Sequence, residues 1–226
     1  MRENLQEKRL HAALASEGIS AGPIYQTVLH LCRSMRLHGD LLEFGAGTAT
    51  LAKKLSVSHA GGTITCADIR PRPECLPASI LWLQTDLNYP IPVPDHSYNF
   101  VISTEVIEHL ENPRAAFREF YRLLRPGGIL IVTTPNQESM RSLAGLLMGG
   151  HFVAFLGRSY PAHITALLRK DFQRICRETS FAPPQFFYTN SGGLPKLPHV
   201  RWQSLTFGLL KGRLFSDNVA VVTRKS

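Results

Sequence analysis

Residues 41–51, Leu-Leu-Glu-Phe-Gly-Ala-Gly-Thr-Ala-Thr-Leu, run from an apolar stretch through an acid into two glycines spaced by one residue. A helix-forming stretch follows. This order predicts a buried strand, a tight turn and a helix start. Glycines without a Cβ let the backbone pass close to a ligand. The helix N-terminus offers unpaired N–H groups beside them. Such a turn sits at the carboxyl edge of a parallel sheet, where nucleotide-like cofactors bind. A dinucleotide fingerprint needs a third glycine three residues after the second. That position is Thr50, so the fingerprint fails.

The rest of the chain extends the same alternation. Residues 3–15 and Ile24–Met35 read as helices, the latter from apolar residues at helical spacing. Strands are expected at Leu41–Phe44, Thr63–Ala67, Ile80–Gln84, Tyr98–Ser103 and Ile129–Thr134, with helices at Thr50–Leu55, Pro113–Leu124 and Arg169–Glu178. Strands alternating with helices imply a parallel sheet. Two late strands, near Pro184–Tyr188 and Asn218–Thr223, have no crossover helix between them, so an antiparallel pair at one edge is expected.

With 226 residues, 44% of them hydrophobic, the chain suits one α/β domain over 1–226. It would carry N-terminal helices in 1–38 and a lid or insert in 137–166. No apolar run approaches the ~20 residues that cross a bilayer, and the charged N-terminus does not read as a secretory signal. Four scattered cysteines without a CxxC pair fit reduced thiols in a cytoplasmic protein.

The net charge of +8 gathers late, in 158–177 and 196–224. Nucleic acid, an anionic membrane surface, an acidic substrate or a merely solvated face would each suit it. No basic stripe interleaved with aromatics appears, which argues against nucleic acid. The apolar run 143–156 suits an apolar acceptor, peripheral contact with a membrane, or packing on the domain.

Candidate binding residues cluster at four strand ends: Glu43, Gly45, Ala46 and Gly47 at the first, Asp68 and Ile69 at the second, Asp86 and Leu87 at the third, Thr104 and Glu105 at the fourth. Parallel strands bring these ends to one rim. Asp68 follows the glycine turn by about twenty residues, the spacing of an acid that accepts ribose hydroxyls. Each acid alone also suits a turn or cap; it is the joint spacing that points to a cofactor.

Glu43-x-Gly45-x-Gly47-x-Ala49 resembles motif I of class I S-adenosylmethionine methyltransferases, with alanine where the family often has glycine. Tyr98-Asn-Phe-Val-Ile-Ser-Thr-Glu-Val-Ile-Glu-His-Leu and Leu123-Leu-Arg-Pro-Gly-Gly-Ile-Leu-Ile-Val-Thr-Thr-Pro-Asn resemble later motifs of the same family. The resemblance implies a Rossmann-like α/β fold: a seven-stranded, mostly parallel sheet of order 3-2-1-4-5-7-6, its last strand antiparallel. It also implies S-adenosylmethionine as cofactor. Gly45, Ala46 and Gly47 would face its methionine portion, Asp68 its ribose, Asp86 and Leu87 its adenine, and Thr104 and Glu105 its sulfonium. Tyr25 would close over it or join the core.

Glu105-Val-Ile-Glu108-His109 places three side chains at i, i+3 and i+4, one face if the segment is helical. With His163 the set resembles the Glu-x-x-Glu-His plus distal histidine of metal-dependent O-methyltransferases, including small-RNA 3′-end and ubiquinone-pathway enzymes. Glu105, Glu108, His109 and His163 are thus candidate ligands for Mg, Mn or Zn. His109, His163 and Glu105 are the candidate catalytic groups, since a hydroxyl acceptor must lose a proton. Carboxylates that merely favour a helix start are the bland alternative. O-methylation of a small apolar molecule is the expected activity. An RNA 2′-O-methyltransferase and a catalytically silent partner subunit are the alternatives.

Overall fold

The computed structural model describes residues 5–15, 18–59 and 61–226. The expected start of the first helix, at residues 3–4, lies outside them. Helices α1 (Leu5–Ala15) and α2 (Gly22–Ser34) lead into β1 (Leu41–Phe44), and α3 (Thr50–Ser56), β2 (Ile64–Asp68), β3 (Ile80–Gln84) and β4 (Tyr98–Thr104) follow. Next come α4 (Pro113–Leu123), β5 (Leu124–Pro135), α5 (Met140–Gly149) and α6 (Arg169–Glu178). The chain finishes with β6 (Gln185–Tyr188), β7 (Gly193–Leu194), β8 (Leu197–Arg201), the short α7 (Trp202–Leu205) and β9 (Asn218–Arg224).

Seven strands form one sheet in the order β3-β2-β1-β4-β5-β9-β6. The first five are parallel; β9 runs antiparallel between β5 and β6, with Ile131 opposite Val222 and Phe186 opposite Val221. This is the expected order, with β9 in the place of the family's seventh strand. The shift in numbering comes from β7 and β8, a small hairpin outside the main sheet in a stretch where the sequence pattern shows only loop. β5 also starts earlier than expected: its Leu124 already pairs with Tyr98, and an irregularity absorbs the Pro126-Gly127-Gly128 turn.

Side chains of successive strand residues point to opposite faces, so the sheet buries two cores. Leu42, Phe44, Val101, Leu130 and Val132 pack with Phe117 and Phe120 of α4 and Phe172 of α6. Leu41, Ile102, Ile131 and Val222 pack with Val28 and Leu31 of α2 and Leu51 and Leu55 of α3. Burial on both faces explains why β1 and β2 read as continuous apolar runs. α4 starts where Asn112 accepts from Ala115 N at 3.0 Å with Pro113 in its first turn. The two layers clamp the sheet and leave its carboxyl rim open for a site.

Candidate active site

The β1–α3 turn is built as its glycines require. Gly45 and Gly47 have φ of +83° and +54°. A Cβ at Gly45 would lie 2.2 Å from Val106 Cγ2, and one at Gly47 2.2 Å from the Gly18 carbonyl oxygen. Ala49, the residue that departs from the family pattern, is itself left-handed at φ +57° and fully buried. Gly18 O also accepts from Thr48 N at 3.1 Å, so the loop before α2 lies on the turn.

The acids hold this rim in place. Asp68 accepts from Gly47 N at 2.7 Å and from Arg70 N at 2.9 Å. Glu43 accepts from Ala52 N at 2.9 Å and from the Cys66 thiol, tying β1 to the first turn of α3 and to β2. Burial pushes the Glu43 carboxyl up to about 8. Asp86 receives Asn88 N at 3.0 Å and Arg9 Nη1 at 2.6 Å. Burial acts to raise its pKa, but these bonds outweigh it and hold the carboxyl below the usual range.

These groups line a cavity of about 910 Å³. All nine residues expected at the cofactor, from Glu43 to Thr104, touch it, as do Glu105, Glu108, His109 and His163. Tyr25 also lines it, buried, its hydroxyl accepting from Ser20 N at 2.9 Å. Lys8, Arg9 and His11 of α1 and Asn218 at the start of β9 complete the wall without any local signal in the sequence. Arg9 bridges Asp86 and Glu111, at 2.6 and 2.7 Å, and lies over the Tyr89 ring.

The Glu105–His109 segment differs from the expected helix face. Glu105 closes the ladder of β4, with N bonded to Thr133 O at 3.1 Å and φ at +54°. Only Ile107–His109 makes a short 3-10 turn. The Glu105 carboxylate therefore turns to Thr133 Oγ1 and Asn218 Nδ2, at 2.9 and 2.8 Å. Burial raises it to about 7 despite those bonds. Glu108, His109 and His163 instead bring ligand atoms within 4.8 Å of one another. Glu108 Oε2 accepts from Thr134 Oγ1, while Oε1 is buried without a protein partner. Burial and the nearby Glu105 push the Glu108 pKa upward.

The two imidazoles are oriented by backbone. His109 Nδ1 lies 2.7 Å from Ala162 O, and His163 Nδ1 lies 2.7 Å from Ala154 O. Carbonyls accept, so Nδ1 carries the proton on each ring and Nε2 keeps its lone pair. Burial, and then His163, lowers the His109 pKa to about 4; burial lowers that of His163. Ile164 N and Thr165 N bond Glu108 O at 2.9 and 3.0 Å, fastening the lid to the 3-10 turn.

The expected lid meets the cavity only through its later part. Tyr160–Ile164 wall the cavity, but no residue of the apolar run 143–156 lines it. Among the described side chains, Leu143, Leu146, Leu147 and Met148 are exposed on α5 instead.

Residues 13–183 match the family described as methyltransferase domain. This chain belongs to the class I S-adenosylmethionine-dependent methyltransferases. Over 152 residues it is 29% identical to a malonyl-[acyl-carrier protein] O-methyltransferase of Hahella chejuensis, covering 63% of this chain and 53% of that one. It is 28% identical over 129 residues to the demethylmenaquinone methyltransferase of Chlamydia pneumoniae, covering 53% and 56%. The matched segment thus spans about half the length of these relatives. A methyltransferase of Archaeoglobus fulgidus shares the fold at TM-score 0.62 and 15% identity, covering 89% of this chain and 94% of that one. So does the 1,6-didemethyltoxoflavin-N1-methyltransferase of Burkholderia thailandensis, solved with its substrate and S-adenosylhomocysteine, at TM-score 0.64 and 10% identity, covering 98% and 87%.

The cofactor of this family is S-adenosylmethionine, and the rim of this methyltransferase fits it. Gly45, Ala46 and Gly47 bring backbone to the cavity wall, and the buried Thr104 hydroxyl there has no protein partner. A buried hydroxyl left unpaired is costly, so a ligand atom is its natural complement.

Proposed function

We propose that this methyltransferase moves a methyl group to a hydroxyl oxygen of a small, rather apolar acceptor. The cofactor supplies an electrophilic methyl on a sulfonium. The protein's part is to hold an acceptor oxygen about 3 Å from that carbon and in line with it, and to take up the hydroxyl proton. The observation that carries the reading is the pair of imidazoles at the cavity, each with Nδ1 committed to a carbonyl and Nε2 left to accept. An amine or carbon acceptor needs such a pair less.

His163 is the better proton acceptor of the two, because efficiency falls as a base drops far below the working pH and His109 is held at about 4. Glu105, fixed by Thr133 and Asn218, holds the floor beside it. Glu43 acts through the turn it braces, and Asp68, Asp86, Ile69 and Leu87 take the nucleoside portion.

A second reading is a divalent cation at Glu108, His109 and His163. Its support is the orphaned Glu108 Oε1 together with two neutral imidazoles whose Nδ1 atoms are already oriented, the usual arrangement behind metal-bound histidine. A cation there would acidify the acceptor hydroxyl. The sequence set of four becomes three, since Glu105 is turned elsewhere. RNA is disfavoured as acceptor: exposed Lys196, Arg201, Lys211 and Arg213 all lie off the cavity wall.

Both readings are tested by S-adenosylhomocysteine release against matched small phenols, amines and carbon acids. Methyl ethers as product support O-transfer; N- or C-methyl products with inert phenols reject it. Turnover lost in EDTA and restored by Mn²⁺ supports the cation, and full turnover in the chelator removes it.

A further inference from the structure

Acidic residues are missing from two long stretches of this chain. Residues 139–170 and 179–216 contain no Asp or Glu and eight Lys or Arg. Those eight equal the chain's whole excess, 25 basic side chains against 17 acidic. The fold brings the stretches together, because α5 packs against β7 and against the 3-10 turn Arg213–Phe215. Ion pairs consume only some of the charge: Arg141 meets Asp217 and Arg169 meets Glu138. Lys170, Lys196, Arg201, Lys211 and Arg213 are exposed and have no acidic partner among the described residues.

Large apolar side chains stand among these cations. Phe207 is 96% exposed, Leu147 86% and Leu209 82%. Met148, Leu197 and Leu205 add to them. Several large exposed apolar side chains on neighbouring elements mark a candidate interaction site. We propose that α5, the β7–β8 hairpin and residues 205–214 together form a docking face for an anionic phospholipid bilayer. Exposed apolar side chains and unpaired cations on the same elements match the layering of such a surface, acyl chains below and phosphates above. A face whose nearest carboxylates, Asp217 and Glu138, are already held by Arg141 and Arg169 and whose other charges are all cations suits a continuous negative sheet, whereas a protein partner would offer charges of both signs. The proposal does not depend on the acceptor or on turnover.

Flotation of the purified protein with phosphatidylglycerol–phosphatidylcholine vesicles tests it, with pure phosphatidylcholine as control. Binding is expected on the anionic vesicles, weak on the neutral ones, and released by high salt. Phe207→Ser with Leu209→Ser, and separately Lys196→Gln with Arg201→Gln and Lys211→Gln, should each weaken partition by about tenfold or more. Both variants should keep the parent's melting temperature and S-adenosylhomocysteine affinity, since none of these residues lines the cavity. Failure of the parent to float with anionic vesicles overturns the proposal, as does unchanged partition in folded variants. A dimer in sedimentation that the Phe207/Leu209 variant abolishes would assign the face to a second copy and likewise overturn it.

Discussion

The imidazoles of His109 and His163 meet edge to face, with centroids 4.7 Å apart and planes at 75°. One comes from the turn after β4 and the other from the lid, so the contact exists only when the lid is docked. Replacing His163 by Asn keeps a polar side chain but removes the base. We expect kcat to fall by about 100-fold or more, the usual scale of proton transfer by a side chain, with S-adenosylmethionine affinity unchanged by calorimetry. An equal loss of affinity would mean that His163 shapes the pocket instead.

Glu108 carries the clearest pH signature. Its folded pKa lies above the unfolded value of about 4.3. The folded state therefore keeps a proton that the unfolded state has lost. The stability this contributes is present below pH 4.3 or so and disappears as pH rises through the folded pKa. Glu108→Gln mimics the protonated form. The variant should melt higher than the parent at pH 8, and the gap should narrow at pH 5. Equal shifts at both pH values would contradict a buried ionisation. If Mn²⁺ binds, it should stabilise the parent and not the variant.

His109 acts with the opposite sign. Its folded pKa of about 4 lies below the unfolded value of about 6.5. Acidification through that window protonates the unfolded chain first, so stability is lost as pH falls from about 6.5 to 4. His109→Gln should flatten this acid limb in thermal melts taken across the window.

Gly47→Ala should damage both fold and cofactor binding. The new Cβ would meet the Gly18 carbonyl at 2.2 Å, a backbone atom that cannot swing aside, and φ of +54° is already unfavourable for it. Overpacking of this kind costs about 1–3 kcal/mol. A lower melting temperature and weaker S-adenosylhomocysteine binding are expected; a variant with parental values for both would remove Gly18 from the account.

Asp68→Ala removes the acceptor of Gly47 N and the group assigned to the ribose. Affinity for S-adenosylmethionine should drop by about tenfold or more, the scale of a charge-assisted hydrogen bond of about 1.5–3 kcal/mol. Unchanged affinity by calorimetry would take Asp68 out of the pocket.

The strands were legible because a parallel sheet covered on both faces must be built from short apolar runs, and Leu41–Phe44 and Tyr98–Ser103 stand out as such. Glu105–His109 was misread for a local reason. The spacing i, i+3, i+4 implies a shared face only in a helix, and nothing near Glu105 announces that its N–H is taken by Thr133 of a neighbouring strand. The β7–β8 hairpin was missed because its residues are short in run and mostly exposed, so no hydrophobic alternation marks them.

Local pattern alone determined the glycine turn, the short apolar strands and the acids at their ends, since backbone geometry and burial act between near neighbours in the chain; the strand order came from the resemblance to the methyltransferase family. Contacts between distant segments decided the rest: Arg9 against Asp86, Gly18 upon Gly47, Asn218 holding Glu105, and the apolar run on α5 facing outward rather than lining the cavity. Such placements depend on which surfaces the packed sheet leaves free, and side chains far apart in sequence carry no record of that until the layers close.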